Sequence, residues 1–421
     1  MMQHIHKHYF QRWGLLLCLG ILVACRGGNF PTSTLVPTPE ASIPIGLETS
    51  PTPSVTATSV SLPTQTNTST PISILDPTET PIPTPSPPEI ITAENANKIV
   101  QIGKPFALKN LLAEFVFRAE ATWLVTSEDG QQIEVYDLST QKLITTLGDE
   151  GVLIERLVVS TDGRLLAAVS PSTGKVTLWN LDTFEKIEVF ASNGYRSYPT
   201  LTPSPTGGEF SSDNQFLVLW GCRIPALNNQ GLPVGCSSSG VIIYDLQKNI
   251  IYQELNGLQS GTSQATFSQD SSTLILSGEG ESLLQADLLV WDVITKQQRT
   301  IVTTEYKYGL TGGKYSPDGK VFVAHAHGSL IFFDTDSWQI ITTQEPGINL
   351  LPSYYLFSKV EQILIAAEGI SGISIRNPTN GDVYFVLKMG VGSITNLALS
   401  PDGRFIYTIS EDEFVRKWGI P

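Results

Sequence analysis

"YSPDGK", residues 315–320, and "LSPDGR", residues 399–404, are near-copies of one six-residue turn set 84 positions apart (399 − 315). Asp and Ser bond backbone amides just ahead of them, Pro presets φ and Gly accepts positive φ, so the stretch predicts a tight connection between two strands. Midway lies a worn copy, "FSKVEQ" at 357–362, which sets a period of about 42 residues. Further copies stand upstream: "VSTDGR" from Val159, "FSSDNQ" from Phe210 and "FSQDSS" from Phe267.

A second landmark follows most of these turns by about twenty residues, where an apolar run ends in an aromatic and then Asp or Asn: "IEVYDL", "VTLWNL", "VIIYDL", "LLVWDV" and "LIFFDT". "ISIRNP" and "FVRKWGI" are degenerate members of the series. In "VTLWNL" the alternation puts Val176 and Leu178 on one face and Thr177 and Trp179 on the other, as a strand between packed sheets requires. A polar turn and another short apolar stretch come next, so each unit reads as four antiparallel strands.

Tyr136, Trp179, Tyr244, Trp291, Phe333, Arg376 and Trp418 mark seven such units. The pattern resembles the WD-repeat β-propellers over nearly all of the chain after residue 96, and the resemblance implies an all-β fold: a seven-bladed β-propeller of four-stranded antiparallel blades. Only Trp291-Asp292 is a true Trp-Asp pair and no Gly-His dipeptide occurs, which departs from the Asp-His-Ser-Trp network of strict WD repeats. The Ser-Pro-Asp-Gly turns are equally similar to those of TolB-type propellers. The last unit stops at "KWGIP", after its third strand, which would leave a blade edge unpaired. "KIVQIGKPF", residues 98–106, alternates and precedes the first full unit, so it is expected to supply the missing strand.

The third unit is enlarged. Its landmarks stand 65 residues apart (Trp179 to Tyr244) against 42 to 47 elsewhere, with the excess in "ASNGYRSYPTLTPSPTGG" and "GCRIPALNNQGLPVGCSSSG". The loop entering the first strand and the loop joining strands two and three emerge at one end of an antiparallel blade. That end therefore gathers Tyr195, Arg196, Tyr198 and Arg223 with Tyr306, Lys307, Tyr308 and Tyr354, and Tyr and Arg are frequent anchors of interfaces. Cys222 and Cys236 bracket the second insertion and are expected to form a disulfide in an exported protein, giving a floppy loop a fixed shape.

The export signal is read at the N-terminus. A basic leader with His4, His6, Lys7, His8 and Arg12 precedes thirteen mostly apolar residues, 13–25, too few to cross a bilayer. Leu22-Val23-Ala24-Cys25 resembles the lipobox of bacterial lipoproteins, which implies cleavage before Cys25 and its lipidation; Cys18, after Leu17, lacks the small residue required. From residue 30 to about 88 the chain is mostly Pro, Thr and Ser, and no Lys or Arg lies between Arg26 and Lys98, a composition that cannot bury a core. The expected organisation is a signal peptide over 1–24, a lipidated Cys and disordered stalk over 25–95, and the propeller over 96–421.

Composition and motifs then narrow function. With 26 Lys plus Arg against 40 Asp plus Glu the net charge is −14, which repels nucleic acid. No Gly-x-Ser-x-Gly, phosphate loop or paired Cys ligands occur; His325 and His327 share a strand face, but no third metal ligand is identifiable. No cofactor, metal or catalytic residue is assigned. The reading is a monomeric extracytoplasmic lipoprotein, held to the membrane by its lipid, whose propeller is a non-catalytic platform for a protein, peptide or glycan. The alternative is an envelope hydrolase or lactonase-type enzyme with a metal in the central channel.

Overall fold

The computed structural model describes residues 87–421 except 110–111, 119–120, 128, 149–152, 171–174, 192–204, 228, 230–232, 259–260, 280–285, 306–308, 327, 345–353 and 369–371. The expected signal peptide, Cys25 and most of the expected stalk therefore lie outside the described residues. No described helix is long and apolar enough to cross a membrane.

Each repeat folds as four antiparallel strands. A short 3-10 turn, Ala96–Lys98, leads into β1 (Val100–Ala107). Blade 1 is β2 (Ala113–Phe117), β3 (Thr122–Thr126), β4 (Gln132–Asp137) and β5 (Lys142–Gly148). Blade 2 is β6 (Arg156–Val159), β7 (Leu165–Ser170), β8 (Lys175–Asn180) and β9 (Lys186–Ala191). Blade 3 is β10 (Pro205–Phe210), β11 (Phe216–Leu227), β12 (Pro233–Asp245) and β13 (Ile250–Asn256). Blade 4 is β14 (Gly261–Phe267), β15 (Thr273–Glu279), β16 (Ala286–Asp292) and β17 (Gln297–Thr304). Blade 5 is β18 (Thr311–Tyr315), β19 (Val321–Ala326), β20 (Ser329–Asp334) and β21 (Ile340–Gln344). Blade 6 is β22 (Tyr355–Phe357), β23 (Leu364–Ala367), β24 (Gly372–Arg376) and β25 (Val383–Lys388). Blade 7 takes β26 (Ile394–Leu399), β27 (Phe405–Ser410) and β28 (Phe414–Gly419) from the C-terminus and β1 from the start of the domain, in the order β1-β28-β27-β26.

The seven first strands, β2 to β26, contact one another in succession and form the inner wall. The Asn396 amide donates to the Ala113 carbonyl at 2.9 Å, joining β26 to β2. Two ends of the ring can then be named: an upper end, where inner strands begin and second strands turn into third, and a lower end, which carries the other two turns of each blade.

The repeated Ser explains the turn motif. Ser160, Ser211, Ser268, Ser316 and Ser400 each donate a hydroxyl to the Asp two residues on, at 2.5 to 2.7 Å. Each also accepts the amide that opens the next strand, at 2.8 to 2.9 Å. These bonds hold the carboxyls of Asp270 and Asp318 below the usual range, through Ser268 and Ser316 first. Gly163, Gly319 and Gly403 take the left-handed position, filled by Asn214 and Ser271 in blades 3 and 4. In the worn copy the Asp is gone, and Ser358 accepts only the amides of Val360 and Glu361, at 3.3 and 3.1 Å.

The Asp or Asn after each aromatic works the same way at the other lower turn. Asp137, Asn180, Asp245, Asp292, Asp334 and Asn377 each accept the amide three residues ahead. A left-handed residue (Gln141, Phe184, Asn249, Lys296, Trp338 or Gly381) follows in each turn. The aromatic itself packs against the preceding blade. Trp179 lies among Val116, Val125 and Val135, Phe333 among Ile275, Leu288 and Val290, and Trp418 among Ile365, Ile373 and Ile375.

Blade 6 replaces the aromatic with Arg376, and charge is matched there. Its guanidinium donates to Glu368 at 2.5 and 3.1 Å and to the Gly381 carbonyl at 3.0 Å, with both side chains buried. The pair stands where other blades bury an aromatic, so it is held by geometry and not by area.

The stalk boundary expected at residue 96 lies inside packed structure. Ile91, Ala96 and Ile99 are buried in the cluster between blades 6 and 7. The amide of Glu89 bonds the Ile420 carbonyl at 3.2 Å, and that of Ile91 bonds the Gly403 carbonyl at 2.9 Å. Three apolar residues spread over nine positions form no periodic pattern, so the sequence reading began the domain too late. The chain thus enters the ring at the lower end.

Closure by β1 makes its removal costly. Deleting residues 30–80 is expected to leave the melting temperature nearly unchanged, whereas deleting through residue 107 is expected to lower it by about 10 °C or more, at roughly 2–4 °C per kcal/mol. Ile91→Ala is expected to cost about 2–5 kcal/mol in urea titrations. Arg376→Ala, which strands the Glu368 carboxylate, is expected to cost about 3–5 kcal/mol and to be largely relieved by pairing it with Glu368→Leu.

Candidate functional site

The inner strands enclose an axial channel of about 830 Å3 that all seven blades line. Counting back from the turn Ser aligns the strands. Four positions before it stand Arg156, Gln264 and Asn396, with Glu114 at the same level of blade 1; two positions before it stand Glu209 and Lys314. The lining is therefore mixed in charge, neither an apolar plug nor carboxylates converging on one point.

The charges are arranged unequally. The Lys314 ammonium pairs with Glu209 at 3.1 Å, and Glu209 also accepts the Phe267 amide at 3.3 Å. The Arg156 side chain is exposed to the channel and makes no ion pair or hydrogen bond among the described residues. Burial in the wall pushes the Glu114 carboxyl up to about 7, against the opposing pull of Asn396, Lys314 and Arg156. Among the described residues no three His, Cys, Asp or Glu side chains group as metal ligands would. Both nitrogens of His325 are engaged: Nδ1 with the Thr311 hydroxyl at 2.9 Å, and Nε2 as acceptor of the Gly328 amide at 3.1 Å. His327 lies outside the described residues.

A second cavity, of about 710 Å3, opens at the lower end between blades 7 and 1, walled by Phe106, Phe117, Phe405 and Tyr407. The Lys417 ammonium lies 3.6 Å from the Phe405 ring centroid, and burial draws its pKa down.

At the upper end the second insertion of blade 3 is a ribbon. The sequence suggested a loop that a disulfide would have to shape; instead β11 and β12 run on past the blade, with pairing from Phe216↔Asp245 out to Leu227↔Pro233. The ladder itself therefore fixes the arm. Cys222 stands opposite Ser239 and Cys236 opposite Pro225, with register shifts between them. Pro225 and the three glycines hid the strands, because Pro and Gly mark turns in sequence.

The candidate surface is only partly described. Tyr354 is 41% exposed and lines the channel mouth at the upper end. Arg223 lies on β11 of the ribbon. Tyr195, Arg196, Tyr198, Tyr306, Lys307 and Tyr308 fall outside the described residues, in connections between β9 and β10 and between β17 and β18. The polar channel lining was missed from the sequence; aligning the repeats on their turn Ser would have exposed it.

No family model matches the chain, and no curated protein does either. Among solved structures, 1702 chains match, so the fold is too widely shared to define an activity. One is a chain of the "Crystal Structure of Mitotic Checkpoint Complex", with a TM-score of 0.57 at 14% identity, covering 84% of this chain and 99% of that one. The likeness is one of fold, and that fold is a WD-repeat-like β-propeller.

The raised Glu114 pKa has a direction in pH. A carboxyl near its usual 4.5 in the unfolded chain but near 7 in the fold keeps its proton longer when folded. Its contribution is thus full below about 4.5 and is lost as pH rises through about 7. Glu114→Gln is expected to raise the melting temperature more at pH 8 than at pH 5, read by thermal melts at both values.

Proposed function

We propose that this chain is an extracytoplasmic lipoprotein, anchored through Cys25, whose propeller is a non-catalytic platform for a protein partner at its upper end. The observation that carries the reading is the β11–β12 ribbon. β11 is 12 residues long against 7 for β15, its counterpart in blade 4, so the arm projects by about 16 Å at roughly 3.3 Å per residue. A stiff arm on a closed ring presents contact area with little ordering cost. Two further points support it. The chain enters at the lower end, which leaves the upper end untethered, and the similar solved chain is by its title part of a protein complex. The lipobox and the Pro/Thr/Ser run supply the address and the spacer. A Cys222–Cys236 bridge, proposed from their place on one hairpin, would lock the base of the arm.

Mass spectrometry of the mature N-terminus is expected to find a lipidated Cys25, and Cys25→Ser to release the protein from membranes. In pull-downs from envelope extract, replacing residues 224–235 by a two-residue turn is expected to abolish capture. Alanine at Tyr354 or at Tyr195, Arg196, Tyr198, Tyr306 and Tyr308 is expected to cost about 1–4 kcal/mol where the residue is an anchor. Changes at Thr183 and Ser337, on lower turns, serve as controls. A partner that ignores the ribbon but is lost with those controls overturns the surface.

A further inference from the structure

The channel's sign runs against the protein's. The whole chain carries −14, yet the described channel lining holds Arg156, Lys314 and Lys359 against Glu114 and Glu209. Three cations against Glu209 and a Glu114 that is only partly ionised near pH 7 leave about one to two positive charges inside an acidic ring. Low-dielectric walls focus such a field.

The groups are not equally available. Glu209 is committed to Lys314 and to the Phe267 amide. Thr266 is committed too, its hydroxyl donating to the Gly313 carbonyl at 3.0 Å while accepting from the Gln264 amide at 3.1 Å. The Arg156 guanidinium, with five donors in a planar fork, has no such engagement among the described residues. A cation entering the channel meets Glu209 already paired with Lys314 and a Glu114 that keeps its proton to about pH 7; an anion meets an Arg156 guanidinium with no hydrogen bond among the described residues.

We propose that the axial channel binds a small organic oxyanion, a carboxylate or a phosphate ester, seated on Arg156 beside the Lys314–Glu209 pair, with Glu114, Gln264 and Asn396 reading its hydroxyl or amine groups. A volume of about 830 Å3 suits a ligand of monosaccharide size. The site shares Tyr354, at the channel mouth, with the upper-end protein surface, but among the described residues none of the ribbon beyond Trp220 lines the channel.

Glu114 makes the binding pH-dependent. It faces Asn396 of β26, Arg156 of β6 and Lys314 of β18, with Glu209 of β10 and His325 of β19 also on the wall. Protonated, it adds no charge and can donate a hydrogen bond; ionised, it sets a negative charge near the anion. Affinity should therefore fall as pH rises through about 7.

The test is calorimetric titration of the full-length protein in detergent with D-galacturonate, D-galactose 1-phosphate, succinate and neutral D-galactose. One or both acid classes are expected to bind and galactose not; which class binds assigns the oxyanion. Arg156→Gln is expected to weaken binding at least about tenfold with an unchanged melting temperature, as loss of a charged hydrogen-bond partner does. Galacturonate, which does not titrate between pH 6 and 8, should bind several-fold more weakly at pH 8 in the wild type and equally at both in Glu114→Gln. Absence of binding by every acid at 10 mM, binding of galactose as tight as its acids, or an Arg156→Gln protein that binds as before overturns the proposal. Pull-down of a protein partner through the ribbon is unaffected by any of these outcomes.

Discussion

A ring of sheets must join its two ends, and here the joint is a ladder of hydrogen bonds between segments more than 300 residues apart. Val100, Gln101 and Ile102 pair with Gly419, Trp418 and Lys417; after a bulge at Gly103 to Pro105, Phe106 and Ala107 pair with Val415 and Phe414. Without this ladder blade 7 would have three strands, and Trp418, which completes the cluster between blades 6 and 7, would border an open edge. Such closure pays its loop entropy late, because no local contact rewards it. The packing of Ile91, Ala96 and Ile99 under the same blades lengthens the clasp.

Between its ends the ring rests on two small polar devices repeated at the lower end. The turn Ser satisfies an amide that the strand change would orphan, and the residue after the aromatic does the same in the neighbouring hairpin. Both act within a few residues, so each blade sets its own turns, and the apolar clusters are then formed by adjacent blades in pairs.

This division decides what the sequence revealed. Turn devices are local, so Ser316-Pro317-Asp318-Gly319 and Trp291-Asp292 were legible, and with them blade number and the missing fourth strand. The enlarged third unit was legible as an insertion, but Pro225 and its glycines concealed that it continues β11 and β12. Arg376 read as a worn repeat because its partner Glu368 lies eight residues upstream, just past the end of the preceding strand. The central channel was expected, but its charged lining escaped: Glu114, Arg156, Glu209 and Lys314 come from four blades, one residue each, and no window of sequence holds two of them.

In a repeat protein the shared positions hold the architecture, so chemistry is to be sought where the copies differ. The turn Ser recurs in six blades and cannot distinguish one ligand from another. The inner-wall positions before it hold Arg, Gly, Gln, Tyr or Asn in different blades, although their strands pair alike. Packing and backbone fix two of these positions, since a Cβ at Gly207 would strike the Trp220 ring and Gly312 takes a φ of +66°, but they do not call for a charge at the others. Charged groups cost desolvation in such a wall, and Glu114 meets that cost by keeping its proton to about pH 7. A wall that sets Arg156, Glu209 and Lys314 beside a Glu114 that keeps its proton is shaped by something other than its own stability, and the guanidinium of Arg156, without a hydrogen bond among the described residues, gives that something a sign.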